Sequence, residues 1–219
     1  MSHSPEARKI DIAFLHEFTN KEECLLESWG SDNIQPPFDI TPKDFLYYAE
    51  YDLKNKYAHH LINSLSNIKR AIDCQFDSLL YGFGLLEKSK TQKWNFPTKI
   101  DCLNSLGVIS PRILLKINQK RNLLEHEYIR PNQIEVEDAL DVAVLFIVYT
   151  EKFLLNAMVD CEPSNDKEGY WLEVKLDYKN NRITVSKRRD KETLIEINVN
   201  SEEYIKYLKW FISLYELMR

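Results

Sequence analysis

Glycine is scarce in this chain, 5 residues of 219, where ordinary usage of about 7% would give roughly 15. Few positions can then take φ > 0 without strain, which argues against many tight hairpins and for long helices. No hydrophobic run reaches the roughly 18 uncharged residues of a membrane span, so no membrane partner is expected. The opening residues Met1-Ser2-His3-Ser4-Pro5-Glu6 lack the apolar stretch of a signal peptide. There is no CxxC pair. Cys24, Cys74, Cys102 and Cys161 stand far apart, which speaks against a disulfide framework or a zinc site and for reduced thiols in a cytoplasmic protein. An excess of cations is missing too. The chain sets 29 Lys and Arg against 34 Asp and Glu, a formal net charge of -5, whereas proteins that coat nucleic acid usually run basic. That average hides a basic middle, because residues 55–131 hold 12 Lys and Arg against 6 Asp and Glu.

What is present suffices for a core: 44% of residues are hydrophobic and 12% aromatic, which excludes a disordered chain. Ser4-Pro5 marks a helix start, followed by Ile10, Ile12, Phe14, Leu15 and Phe18, and Cys24, Leu25, Leu26 and Trp29 read as a second short helix. Residues 1–40 are thus expected to be an N-terminal helical extension ending in a loop with Gly30, Pro36 and Pro37. Thr41-Pro42, with Asp44 three residues on, signals the next start. From there to about Leu86, Phe45, Tyr48, Ala49, Asp52 and Leu53, then Leu61, Leu65, Ile68, Ile72, Phe76 and Leu79, recur at helical spacing and predict one very long helix. A short helix over Ile100–Leu106 should end at Gly107. Ser110-Pro111 should open another, running to Arg130 where Pro131 stops it. Ile134–Val159 is apolar nearly all round and should be a central helix.

The pattern changes after Pro163. Leu172, Val174, Leu176 and Tyr178 alternate with polar residues, as do Ile183 and Val185, then Ile195, Ile197 and Val199. These predict three strands. Asn200 and Glu203 open a last helix that would cover them. The expected fold is mainly α: an antiparallel helical bundle over residues 41–162, then a three-stranded antiparallel β-meander plus helix over 163–219.

The chemistry-bearing residues cluster in Lys120-Arg121-Asn122-Leu123-Leu124-Glu125-His126-Glu127-Tyr128-Ile129-Arg130-Pro131. On a straight helix Asn122 and His126 share a face, Arg121 and Tyr128 a neighbouring one, and Arg121 and His126 are about 140° apart. Fraying of the helix near His126, or two copies meeting across a two-fold axis, could bring Arg121 and His126 together, and the arrangement favours a homodimer with a composite site. The set suits metal-free RNA cleavage. RNA carries its own nucleophile, the 2′-hydroxyl. Histidine can take that proton near neutral pH, and a guanidinium can stabilise charge growing on the phosphate. Arg121, Asn122 and His126 are therefore the candidate catalytic residues, and no metal or cofactor is expected. On the long helix, Asn63, Asn67, Arg70, Cys74 and Asp77 form a polar row, in which Arg70 or the neighbouring Asp73 could orient the site. Lys187-Arg188-Arg189 reads as a solvated turn at a strand end that could touch RNA backbone.

Arg121-Asn122-x-x-x-His126 resembles the R-x(4–6)-H motif of the HEPN superfamily, and with Tyr128 it is similar to the R-x4-H-x-Y form of HEPN toxins in MNT–HEPN toxin–antitoxin pairs. From composition, chance occurrence of that spacing is roughly 0.01 per chain. The helix around Leu61-Ile62-Asn63-Ser64-Leu65 also resembles the first helix of such domains, so the likeness covers roughly residues 42–160. The resemblance implies a four- to five-helix bundle, a homodimer with its site in the interface cleft, and a metal-independent endoribonuclease acting on single-stranded RNA or tRNA in phage defence or as a toxin. It also implies a nucleotidyltransferase antitoxin as partner, with Tyr128 the residue that partner adenylylates; otherwise Tyr128 would stack on RNA. The alternative is a non-catalytic HEPN module that binds RNA, nucleotide or a partner protein such as a nucleotidyltransferase.

Overall fold

The computed structural model describes residues 10–108, 114–119, 122, 127–167 and 169–217. In chain order its elements are α1 (Ile12–Thr19), β1 (Leu25–Asp32), α2 (Pro42–Asn55), α3 (His60–Gly82), α4 (Leu86–Thr91), α5 (Phe96–Ser105), α6 (Gln133–Thr150), β2 (Ala157–Asn165), β3 (Tyr170–Asp177), β4 (Arg182–Lys187), β5 (Thr193–Asn198) and α7 (Tyr204–Ser213), with residues 114–119 also helical. They fall into two compact units. Asn33–Ala157 forms a helical unit; Met1–Asp32 together with Met158–Arg219 forms a sheet unit.

In the helical unit α2 begins with a complete capping box. The Asp44 amide donates to Thr41 Oγ1 (3.3 Å) and the Thr41 amide to Asp44 Oδ2 (2.8 Å), which satisfies donors left free at a helix start. The single long helix expected from residue 42 to about 86 is instead a pair, α2 folded back on α3. Lys56 takes a left-handed backbone (φ 47) and ends α2, although no glycine or proline marks the break. The buried row of α3, including Leu65, Ile68, Ile72, Phe76 and Leu79, packs against α2 and α6. Deep in this layer Gln75 Nε2 donates to Thr150 Oγ1 (2.8 Å), whose hydroxyl donates to the Phe146 carbonyl (2.7 Å). The helix expected over Ile134–Val159 ends earlier. After Thr150 a 3-10 turn (Glu151–Phe153) and Asn156, at φ 55, redirect the chain into a strand. The Ile34 amide donates to the Leu154 carbonyl (2.8 Å), tying the two ends of the unit together.

The sheet has five antiparallel strands in the order β1-β2-β3-β4-β5, not the three of the expected meander. β1 takes in a segment read as a short helix and the start of the loop after it, and β2 the end of the helix expected over Ile134–Val159 and the residues just beyond it. Leu25–Asp32 is rich in poor helix formers (Ser28, Gly30, Ser31) and pairs with β2. Three bonds descend antiparallel between these strands: Ser164 Oγ to Glu27 Oε1 (2.8 Å), Ser28 Oγ to Glu162 Oε2 (2.8 Å) and the Gly30 amide to Asp160 Oδ1 (2.9 Å). Gly30 also makes room, because a Cβ there would lie 2.4 Å from Asp160 Oδ2. Pro163, read as a boundary, sits inside β2. The β2–β3 ladder pairs Cys161 with Val174 and Ser164 with Trp171, and it skips the positions between, where proline has no N–H to give.

Leu172, Val174, Ile183, Val185 and Ile195 form the buried face of the sheet. Helix α7 covers β4 and β5 and packs against α1, burying Tyr204, Leu208, Trp210 and Phe211. Side chains of this size contribute about 1.5–3 kcal/mol each when fully buried. Trp210 brings a polar N–H inside, and that N–H donates to Thr19 Oγ1 (3.2 Å), whose hydroxyl donates to the Leu15 carbonyl (2.9 Å). Among the described residues no helix is long and apolar enough to cross a membrane.

Candidate functional site

Of the proposed catalytic set, Arg121 and His126 lie outside the described residues. Asn122 is helical and half-buried. The helix expected to run to Arg130 has ended by Glu127, and residues 127–132 are not helical. Pro131 is buried, and its ring keeps the preceding residue out of the α region. Tyr128 therefore does not lie on the helix that carries Asn122. It stands at φ 58, a left-handed backbone that is uncommon for an aromatic residue, and its side chain is 88% exposed. Strain of this kind is worth about 1–3 kcal/mol and gathers at functional positions.

The proposed supporting residues, Arg70 and Asp73, have partners of their own. Arg70 Nη1 donates to Asn67 Oδ1 (3.3 Å), and Asn67 Nδ2 donates to Asp52 Oδ2 (3.0 Å). The Asp52 carboxylate also accepts the Tyr57 hydroxyl, and Asn63 Nδ2 donates to that phenol oxygen (3.0 Å). Asn63 and Asn67 of the polar row thus close over Asp52, which is buried. Its hydrogen bond to Asp52 holds the Tyr57 phenol above its ordinary pKa. Asp73 pairs with Lys69, whose ammonium lies 5.6 Å from the centre of the Phe96 ring. Asp77 pairs with Lys99. Asn63, Asn67 and Arg70 thus form a network that staples the α2–α3 turn, while Asp77 at the other end of the row reaches α5. Sequence reasoning missed the network's centre, and the signal was there: Asp52 is a carboxylate in the apolar phase of α2.

Compared with family models, curated proteins and solved structures, the chain finds no match in any of the three. Any functional reading therefore rests on the residues themselves.

Two other features bear on chemistry. A cavity of about 330 Å³ in the helical unit is walled mainly by apolar groups, among them Ile34, Pro36, Phe38 and Ile147, with the Lys43–Glu151 ion pair beside it. Its polar lining includes Lys43, Glu151, Gln75 and Ser78. The four thiols are unpaired, and burial pushes Cys24, Cys74 and Cys102 up to about 11 and Cys161 higher still. At neutral pH they stay protonated and are poor nucleophiles. Among the described residues no three His, Cys, Asp or Glu side chains gather as a metal site.

Proposed function

We propose that the protein is a metal-independent, HEPN-type endoribonuclease acting on single-stranded RNA or tRNA, with a composite site at a homodimer interface and a role as a toxin or in phage defence. The observation that carries this reading is the Arg121-Asn122-x-x-x-His126-x-Tyr128 spacing. In the proposed reaction His126 takes the proton from a 2′-hydroxyl as that oxygen attacks the adjacent phosphorus. The bond to the 5′-oxygen breaks, the leaving oxygen receives a proton from the imidazolium of the second copy, and a 2′,3′-cyclic phosphate remains. Arg121 stabilises the charge on the phosphorane, and Asn122 orients the phosphate. Tyr128, strained and open to solvent, suits a modification or stacking role, and a nucleotidyltransferase is the partner class that would use it.

The test is cleavage of labelled RNA in EDTA. Removing a general acid–base group should cost about 10²–10⁴-fold in rate, so equal cutting by wild type and His126→Ala refutes the assignment. A monomer by light scattering at working concentration refutes the composite site. Binding without cleavage that survives loss of both Arg121 and His126 would mark the chain as a non-catalytic binding module.

A further inference from the structure

The outer face of the sheet is an ionic lattice. Lys175 and Lys191 both pair with Glu173, Arg182 with Asp177 and Glu196, and Arg188 with Glu162 at 3.0 Å, while Lys187 at the end of β4 pairs with Glu192. Lys179 lies over the Tyr178 ring. Arg189 is different: it is exposed and has no ion pair or hydrogen bond among the described residues. Trp171 stands beside it on the same unit, 44% exposed, with neither an aromatic neighbour nor a partner for its indole N–H among them. Trp171, Arg188 and Arg189 line a shallow concavity of about 440 Å³. Its geometry is fixed from below. The Arg188 amide donates to the Trp171 carbonyl (2.9 Å), Arg188 is held by Glu162, and Ser164 faces Trp171 across the β2–β3 ladder. The turn Lys187–Glu192 carries four cations against two carboxylates, so it is locally basic in a protein that is acidic overall.

A half-exposed indole next to a guanidinium with no partner among the described residues fits one kind of ligand well. A base stacks on the ring whatever its identity, and the adjoining phosphodiester takes the guanidinium's paired N–H groups. An acidic peptide would satisfy Arg189 and leave the indole open to water. A duplex would hide its bases. We infer that Trp171, Arg188 and Arg189 form a binding site for single-stranded RNA, with a base on Trp171 and its phosphate on Arg189. The identity of the ligand rests on the ribonuclease reading. The site itself belongs to the sheet unit and uses none of the proposed catalytic residues.

The experiment is fluorescence anisotropy of a fluorescein-labelled single-stranded RNA of mixed sequence. It uses full-length His126→Ala protein, so that the probe survives. Trp171→Ala and Arg189→Ala should each weaken binding about tenfold, and Trp171→Phe should keep most of it. Arg189→Ala should also flatten the dependence of log K on log salt by about 0.7. Both side chains are exposed, so unchanged circular dichroism is expected of each variant. Equal affinity of Trp171→Ala, Arg189→Ala and their parent overturns the inference. So does a polyglutamate peptide that binds, loses affinity in the same variants and is matched by no RNA binding. The two proposals fail separately. If His126-intact protein cuts no RNA while binding depends on Trp171 and Arg189, the ribonuclease reading falls and this one stands. If cleavage is metal-free and needs His126 while Trp171→Ala and Arg189→Ala leave affinity and KM alone, only this one falls.

Discussion

Replacing Thr150 by valine tests how the helical unit is held together. Valine matches threonine in shape, so packing is conserved and the hydroxyl alone is lost. Thr150 and Gln75 are 0% and 2% exposed, so water cannot take over the 2.8 Å bond from Gln75 Nε2. An unpaired buried donor costs about 1–3 kcal/mol. The second bond, from the hydroxyl to the Phe146 carbonyl, adds little because that carbonyl keeps its helical partner. The expected loss is about 2 kcal/mol, or about 4–8 °C in Tm for a chain of this size. Gln75→Met should cost less, since the Thr150 hydroxyl keeps its bond to Phe146. The combination should recover part of the Thr150→Val loss, because no buried donor is then stranded. Urea titration of the four proteins, followed by circular dichroism with calorimetry alongside, reads the cycle. A Thr150→Val loss below about 0.5 kcal/mol, or a double variant as unstable as the sum of the singles, refutes the reasoning.

Two further predictions concern single contacts. Gly30→Ala should push the Asp160 carboxylate aside and break its bond to the residue 30 amide, costing about 1 kcal/mol in urea unfolding. In an Asp160→Ala background the same change should cost nothing, and an equal loss in both would show that the contact is not the cause. Tyr57 has a folded pKa raised above 10.0 because its hydroxyl donates to Asp52. Its contribution should be complete below pH 10.0 and fade as pH climbs through the raised value. Alkaline unfolding titrations should show a shallower decline for Tyr57→Phe than for wild type, and identical slopes would deny the linkage.

How much of this was legible in the sequence depended on burial. β3 and β4 are buried on one face only, so Leu172, Val174, Leu176, Ile183 and Val185 alternate visibly. β1 is an edge strand with Leu25 61% and Trp29 48% exposed, and it leaves no clean period of two. β2 begins just after an apolar helix, and a run such as Ala157-Met158-Val159 cannot be assigned to helix or strand by periodicity alone. The break between α2 and α3 was invisible because Lys56 pays the left-handed cost itself. In the candidate site, the spacing of Arg121, Asn122, His126 and Tyr128 is a property of the sequence. The bond from Asn67 to Asp52, on which Arg70 leans, depends on α2 folding back, which no local pattern announced.

The sheet unit is written in two pieces, with the whole helical unit spliced between β1 and its neighbour β2. During synthesis β1 emerges long before any strand exists to receive it. The entropy of closing a chain of that length grows as about (3/2)RT ln n and must be met before β1 and β2 gain anything by pairing. The Ile34–Leu154 hydrogen bond bears on that cost. Once the helical unit has folded, its two ends are already clasped, and the effective loop between Asp32 and Ala157 shrinks to a few residues. A helical unit that folds first would thus leave β1 and β2 only a short closure to make. A lesion at the clasp would then delay completion of the sheet without touching a residue of it.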